Sequence, residues 1–449
     1  MVSTLNDLTL ALNEGRTTSV ALTELALARA QDAAGEGARV FTKLYAESAL
    51  AQARASDTLR AAGFVRSAVE GLPISIKDLF DIEGETTMAG SVAREGEPAA
   101  DANADVVQRL IAAGAVIIGR TNMTEFAYSG LGINPHYGTP LNPYDRATGR
   151  IPGGSSSGAA VSVADGMAVA GIGSDTGGSV RIPAALCGLT GFKPSAWRVS
   201  MQGVLPLSAN LDSIGPIAAS VRCCAELDAI LSGDGGPVPE AMALRGLRLA
   251  VPTTLALDAM DKHVADSFAA AVARLKEAGA QVDEIAIPEF AEVGGINSKG
   301  GFTAAEAWAW HRDLIARAGK RYDPRVVSRI MRGQDMSAAD YIDLLDAREA
   351  WVAAVDHRIA GYDALIMPTT PIVAPAVADL VASDEAYYAA NGLILRNPTL
   401  INFLDGCALS LPCHAPDTAP VGLMIAGSNG ADRRILAVGL AIEALFAGH

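Results

Sequence analysis

Two clusters of glycine and serine, separated by an apolar segment, are the part of the chain best suited to chemistry. Residues 153–158 read GGSSSG and residues 171–179 read GIGSDTGGS. Glycine permits positive φ and close backbone approach, so serines among glycines can present hydroxyl and N–H groups to a ligand. A flexible Gly/Ser linker is the alternative, but apolar sequence flanks each cluster, which favours a functional site. Neither cluster has the spacing of a phosphate-binding loop.

One serine motif and one lysine are candidates for nucleophilic chemistry. Residues 154–158 match GxSxG, but no hydrophobic strand precedes them, as the nucleophile elbow of a Ser–His–Asp hydrolase requires. Lys77 ends the apolar run 72–76, which would bury its amine and lower its pKa from about 10.4. A neutral amine can act as a general base. Taken alone, Lys77 is more simply interpreted as a strand-end lysine with its ammonium in water or beside Asp78.

Five segments of the chain, taken in order, resemble the amidase signature family. They are LPISIKDLFDIEG (72–84), GAVIIGRTNMTEFAYSG (114–130), IPGGSSSGAAVSVADG (151–166), GSDTGGSVRIPAALCGLTGFKPS (173–195) and LDSIGP (211–216), with weaker matches at 367–371 and 420–427. A lysine, GGSS and DTGGSxR in this order form a highly specific combination. The resemblance is dense over residues 70–220 and diffuse elsewhere.

The resemblance implies a Ser–cis-Ser–Lys triad. Ser179 is then the nucleophile, Ser155 the bridging serine after a cis peptide bond from Gly154, and Lys77 the base. Lys77 would take a proton from Ser155, which accepts that of Ser179, and the reverse relay would protonate the leaving nitrogen. The resemblance also implies an oxyanion hole of backbone N–H groups, which belong to Thr176, Gly177, Gly178 and Ser179.

Further residues are expected to support the triad or to contact the substrate. The supporting set is Ser156, Asp175, Arg181 and Asp212. Asp175 and Arg181 would orient the loop through hydrogen bonds to its backbone, and the alternative for Arg181 is to bind a substrate carboxylate. The expected acyl pocket consists of Met123, Phe126 and Tyr128, although such side chains are commonly plain core.

Short apolar runs that alternate with helical segments predict an α/β fold. The resemblance implies one large domain over residues 1–449, with a central mixed β-sheet covered by helices on both faces. Within it we distinguish N-terminal helices (1–64), the signature core (65–220) and a C-terminal part (235–449) that completes the sheet and the substrate pocket. The Ala-rich segment 41–62 is predicted to be helical.

Composition narrows the possible partners. The net charge of −15 argues against nucleic acid or an anionic membrane as the main partner. The N-terminal residues lack a basic segment, and no long uncharged apolar run occurs, so we expect a cytoplasmic protein without a membrane-spanning helix. The five cysteines include no CxxC pair, which argues against a zinc site or disulfide framework. We expect no metal and no organic cofactor, and a homodimer is left open.

The predicted function is hydrolysis of a linear carboxamide or related C–N acyl bond in a small molecule, through a seryl acyl-enzyme. Aryl amides, urea-like compounds and carbamates stay open as substrates. The alternative is the glutaminase subunit of a tRNA-dependent amidotransferase, which uses an acidic residue to hold the glutamine amine, whereas Leu395 stands here. Three other positions depart from the family pattern: Asp405 and Cys407 replace a glycine and a proline, and Asn210 replaces a common serine.

Overall fold

Short, mostly buried segments form the eleven β-strands of the computed structural model, which describes residues 2–447. Strands rich in Ile, Leu and Val form readily where both faces of a sheet are covered. The strands are β1 (Phe41–Leu44), β2 (Pro73–Lys77), β3 (Val116–Thr121), β4 (Ala170–Asp175), β5 (Thr190–Lys193), β6 (Ser213–Ala218), β7 (Arg248–Pro252), β8 (Gln281–Ile285), β9 (Ala364–Pro368), β10 (Cys407–Pro412) and β11 (Gly422–Gly427).

These strands make one mixed sheet in the order β1-β3-β2-β4-β6-β5-β10-β11-β9-β7-β8. The neighbours β3, β2 and β4 run parallel, as do β9, β7 and β8. The pairs between β4 and β9 across the middle of the sheet, and the pair β1–β3, are antiparallel. A single mixed sheet flanked by helices confirms the predicted fold class.

Helices flank the sheet and complete the domain. In the described residues they are α1 (Leu5–Asn13), α2 (Ser19–Gln31), α3 (Gly37–Val40), α4 (Ala46–Ala61), α5 (Asp105–Ala112), α6 (Ser157–Ala164), α7 (Arg181–Leu186), α8 (Val221–Ser232), α9 (Lys262–Glu277), α10 (Glu289–Ile296), α11 (Gly301–Ala318), α12 (Pro324–Met331), α13 (Ala338–Ile359), α14 (Val377–Ala382), α15 (Asp384–Phe403) and α16 (Asp432–Ala447). None of the helices in residues 2–447 has both the length and the apolar character needed to cross a membrane.

The parallel pair β2 and β4 brings the two chemically interesting segments together. Ile74 lies opposite Ala170, and Ile76 lies opposite Ile172. Because parallel strands end at the same edge of a sheet, Lys77 at the end of β2 lies beside the last residues of β4. Helix α6 packs directly on β4, and a Cβ added at Gly173 would lie 2.5 Å from Ser156 Oγ. The glycines of β4 therefore allow the serine cluster to approach the strand closely.

The start of the predicted helix 41–62 is wrong. Residues Phe41–Leu44 form the edge strand β1, which pairs with β3, and the helix begins only at Ala46. Helical spacing of apolar residues in a short segment cannot compete with the hydrogen bonds that a neighbouring strand supplies.

Candidate active site

Lys77 is fully buried at the end of β2 and bonds to two serines. Its Nζ donates to Ser155 Oγ at 2.7 Å and to Ser174 Oγ at 2.9 Å. Burial lowers the pKa of Lys77 to about 7, although the charges of Asp212 and Asp175 oppose the shift. The amine is therefore poised to gain or lose a proton near neutral pH, as a general base requires.

Ser155 is held by backbone contacts that need a glycine before it. The Gly154–Ser155 peptide bond is cis, in agreement with the expectation from the family resemblance. A Cβ added at Gly154 would lie 2.5 Å from the backbone nitrogen of Gly132, so no larger residue fits there. The carbonyl of Ser155 accepts a hydrogen bond from the Thr124 N–H at 3.1 Å.

Ser179 lines a cavity and contacts the neighbouring serine cluster through its backbone. Its carbonyl accepts a hydrogen bond from the Ser156 N–H at 3.3 Å, which ties the two serine clusters together. Ser156 Oγ donates to the Ser174 carbonyl at 3.3 Å. Among the hydrogen bonds of residues 2–447, none joins Ser155 Oγ to Ser179 Oγ, so the structure forms the lysine–serine contact of the expected triad but not the serine–serine one.

Asp175 and Arg181 form a fully buried ion pair under the loop 176–180. Asp175 accepts hydrogen bonds from Gly178 N at 2.8 Å and Val180 N at 3.1 Å, and from Arg181 Nη2 at 2.8 Å. Burial would raise the pKa of Asp175, but the adjacent guanidinium holds it well below its ordinary range. Asp175 is thus ionised and orients the loop backbone, as the sequence suggested.

Arg181 is fully engaged within the protein. Besides Asp175, its Nη2 donates to Asn402 Oδ1 at 2.5 Å and to the Pro398 carbonyl at 3.1 Å. Asn402 in turn donates to Asp175 Oδ1 at 3.0 Å. These contacts disfavour the alternative in which Arg181 binds a substrate carboxylate. Sequence reasoning did not assign a role to Asn402, because only the fold brings it next to the loop.

Of the backbone groups expected at the oxyanion hole, Gly178 does not fit. Its N–H donates to the Asp175 carboxylate, so it is not available to a developing oxyanion. The N–H groups of Gly177 and Ser179, by contrast, make no hydrogen bond within residues 2–447. They remain candidate donors, because an oxyanion hole needs preorganised N–H groups that are otherwise free.

Asp212 is a second buried carboxylate in the site. Burial raises the pKa of Asp212 to about 6, although hydrogen bonds from Thr176 Oγ1 and from the Leu207 and Ser208 N–H groups oppose this. Those three donors lie at 2.5, 2.9 and 3.0 Å. Asp212 therefore fixes the first residue of the loop that carries Ser179.

A cavity of about 260 Å³ opens at Ser179. Its walls combine apolar side chains with a few polar ones, and come from Ala127, Tyr128, Ser129, Thr176, Gly177, Ser179, Leu207, Leu211, Val293, Gly294, Asn297, Gly300, Phe302, Thr303, Arg329, Leu395, Thr399 and Phe403. Pockets of this kind bind small organic ligands through apolar contacts and a small number of polar groups.

The structure places only one of the three expected pocket residues, Tyr128, at this cavity. Met123 and Phe126 are buried and do not line it. Phe126 instead packs against His311 and Tyr322, with ring centroids at 4.4 and 5.0 Å. The expectation differs from the structure here because apolar and aromatic residues after a strand can serve the core as well as a pocket.

Within residues 2–447, His, Cys, Asp and Glu side chains do not form a group of three or more that could hold a metal ion.

Comparison with known proteins identifies the family. The profile described as Amidase matches residues 21–436. The chain belongs to the amidase family. It is 36% identical over 402 residues to a 2-amino-5-chloromuconic acid deaminase of Comamonas testosteroni, and the match covers 88% of this chain and 86% of the relative. It is 35% identical to one of the subunits of the glutamyl-tRNA(Gln) amidotransferase of Chloroflexus aggregans (strain MD-66 / DSM 9485), over 98% of this chain and 95% of the relative.

A solved structure gives the same result. The crystal structure of an amidase superposes with a TM-score of 0.88 at 33% identity, and the match covers 99% of this chain and all of that one. The likeness thus includes the whole fold and not only the serine clusters. The chain is an enzyme of this family, and its reaction is the hydrolysis of a C–N amide bond.

Proposed function

We propose that the chain hydrolyses its amide through an acyl-enzyme on Ser179, with Ser155 and Lys77 as the proton relay. The observation that carries this proposal is the hydrogen bond from a fully buried lysine to Ser155, beside a cavity that Ser179 lines. Neutral Lys77 takes the proton of Ser155, which takes that of Ser179 as its Oγ attacks the carbonyl carbon. The relay needs a Ser155–Ser179 hydrogen bond in the substrate complex, where catalytic hydrogen bonds commonly tighten.

The second half of the reaction uses the same groups. The protonated Lys77 returns its proton through Ser155 to the leaving nitrogen, since an amide nitrogen leaves poorly without a proton. Water then attacks the acyl-enzyme with the help of the same base, and the acid is released. The Gly177 and Ser179 N–H groups stabilise the oxyanion in both steps.

We further propose that the substrate carries a carboxylate, which Arg329 binds. Arg329 lies on α12 and is the one charged side chain among the cavity-lining residues of the described chain. Its guanidinium stacks on the Tyr128 ring at 4.4 Å and donates to the Tyr128 carbonyl, and no ion pair within residues 2–447 involves it. A guanidinium with free N–H groups at an apolar cavity binds a carboxylate in a bidentate manner.

The glutaminase subunit remains the second candidate, because a relative that is an amidotransferase subunit matches almost the whole chain. Glutamine carries an ammonium beside its carboxylate. Leu395 lines the cavity where the glutaminase subunit is expected to place an acidic residue, and no carboxylate is among the cavity-lining residues of the described chain. An ammonium would lose its hydration there without gaining a partner, which favours a carboxylated amide that has no amino group.

Three amides of the same length test the substrate class. Glutaramic acid is glutamine without its amino group, and pentanamide lacks the carboxylate as well. We expect kcat/KM to be highest for glutaramic acid, with liberated ammonia as the readout. A preference for glutamine would favour the glutaminase, and a preference for pentanamide would contradict the role of Arg329.

Substitution of Arg329 tests the same point on the protein side. Arg329→Met keeps an unbranched apolar side chain but removes the charge, so kcat/KM for glutaramic acid should fall by about 10–100-fold, the value of a charge-assisted hydrogen bond. The value for pentanamide should change little. Arg332→Met is the matched control, because Arg332 lies one turn further along and is not at the cavity. Equal losses for both amides would mean that Arg329 only supports the fold.

A further inference from the structure

Asn210, which stands where the family commonly has serine, connects the site to two distant helices. Its Nδ2 donates to Glu306 Oε1 at 2.5 Å and to Tyr341 Oη at 2.8 Å. Its backbone N–H donates to Glu306 Oε2 at 3.2 Å. Glu306 lies on α11 and Tyr341 on α13. A serine side chain is too short to reach both helices at once, so the departure from the family pattern has a structural counterpart.

The Glu306 carboxylate accepts four hydrogen bonds, from Ser208, Asn210 and Tyr341. Oε1 accepts hydrogen bonds from Asn210 and from Tyr341 Oη at 2.6 Å, and Oε2 accepts from Ser208 Oγ at 2.5 Å and from the Asn210 N–H. These four bonds fill the acceptor capacity of a carboxylate. The ion pairs of residues 2–447 do not include Glu306, and its four hydrogen-bond donors are all neutral groups.

The segment 207–212, which Glu306 contacts through Ser208 and Asn210, also contacts the proposed active site. The segment 207–212 folds on the carboxylate of Asp212, which accepts the Leu207 and Ser208 N–H groups. The same carboxylate accepts Thr176 Oγ1 at the start of the nucleophile loop. Leu207 and Leu211 form part of the cavity wall, and Phe302 on α11 forms another part. Glu306 thereby joins two walls of the cavity.

We propose that Asn210, Glu306 and Tyr341 form a latch that positions Asp212 and the Leu207–Leu211 wall against the loop carrying Ser179. The three latch residues are positioning residues, because they act through Asp212 and the wall and do not touch the reacting atoms. Opening the latch lets the segment 207–212 move away from Thr176. The nucleophile loop then loses its outer support, while the buried Asp175–Arg181 pair still holds the loop from below.

If the latch is real, two substitutions in it should each lower activity, and their effects should not add. Asn210→Ala and Glu306→Gln should each lower kcat/KM for the preferred amide by about 10–100-fold, the usual effect of a small misplacement of reacting groups. The double variant should be no worse than the more damaged single variant, because either change opens the same latch. Asp57→Asn is the matched control, since Asp57 also holds backbone N–H groups, those of Ser19 and Val20, far from the site. It should keep wild-type activity.

The pH profile separates positioning from a purely structural role. The charged groups that act on Lys77 are Asp212 and Asp175, and the charge of Glu306 acts in turn on Asp212. Asn210→Ala changes no charge. A shift in the acid limb of its pH–rate profile, where activity rises as Lys77 loses its proton, therefore reports movement of Asp212. If Asp212 moves away, its negative charge stabilises the Lys77 ammonium less and the pKa of Lys77 falls. The acid limb should therefore move to lower pH. If Asn210→Ala does not fold, Tyr341→Phe removes one hydroxyl and gives the same test.

Two results would overturn the latch: folded variants with wild-type kcat/KM and acid limb, or effects of the two substitutions that simply add. The assay rests on the proposed amide hydrolysis. The two failures are distinguishable, because loss of the proposed function would show as an inactive wild-type enzyme. Failure of the latch would leave the wild type active, with Asn210→Ala and Glu306→Gln either as active as the wild type or additive in their effects.

Discussion

Ser179→Ala should abolish amide hydrolysis and leave the fold intact. The substitution removes the proposed nucleophile and only one small hydroxyl, so circular dichroism and the melting temperature should stay close to those of the wild type. Removing a serine nucleophile lowers kcat by about 10⁶-fold in a well-studied serine hydrolase, and we expect a loss of that order. Ammonia release over a long incubation measures the residual activity of the variant.

The other serines of the chain provide the controls for Ser179→Ala. Ser157→Ala removes a buried hydroxyl of the same cluster, whose hydrogen bond is to the Asn122 carbonyl at 3.4 Å, and should remain active. Hydrolysis by Ser179→Ala at more than a trace, with an unchanged choice of substrates, would transfer the nucleophile role to another serine. Ser156 is the first candidate, because it lies between Ser155 and the Ser179 backbone.

Lys77→Met should also be strongly impaired, although less than Ser179→Ala, and the wild type should lose activity in acid. Methionine fills similar space in the core without an amine, so the loss reports the base and amounts to about 10²–10⁴-fold, the typical contribution of general base catalysis. Burial lowers the pKa of Lys77 to about 7. The neutral amine is the active form, so kcat/KM should rise with pH through about 7 and fall about tenfold per pH unit below it.

Lys193→Met is the matched control for Lys77→Met. Lys193 is also buried at the end of a strand, and burial lowers its pKa to about 8, but its Nζ donates to the Pro194 and Gly406 carbonyls and not to serines. This variant should lose thermal stability yet keep the wild-type acid limb. A wild-type pH profile that is flat for about one unit on either side of the Lys77 pKa would contradict the base role, as would a Lys77→Met enzyme with most of its activity.

The sequence predicts the centre of the site better than its walls. Lys77 is the last residue of β2 and Asp175 the last residue of the parallel strand β4, and strands of this kind end at one edge of a sheet. The short local segments indicate the residue types, whereas the expectation that these residues meet comes from the family resemblance. The family resemblance adds the order of the proton relay, which no periodicity could supply.

The cavity walls depend on contacts between segments far apart in the chain. Arg329, Leu395 and Phe403 come from α12 and α15, and nothing in their local sequence links them to Ser179. The helix α15 also contains Pro398, a residue that ordinarily argues against a helix interior. The sequence likewise could not exclude Gly178 from the oxyanion hole, because only the fold shows that its N–H donates to the Asp175 carboxylate.

Trapping the acyl-enzyme tests the central claim most directly. The p-nitrophenyl monoester of glutaric acid should acylate the enzyme faster than water removes the acyl group, so that one equivalent of p-nitrophenolate appears in a burst. Tryptic peptides from the quenched enzyme should then carry a glutaryl group on Ser179, and the Ser179→Ala variant should carry none. A burst without a covalent adduct, or a glutaryl group on Ser155 or Ser156, would contradict the assignment of Ser179 as the nucleophile.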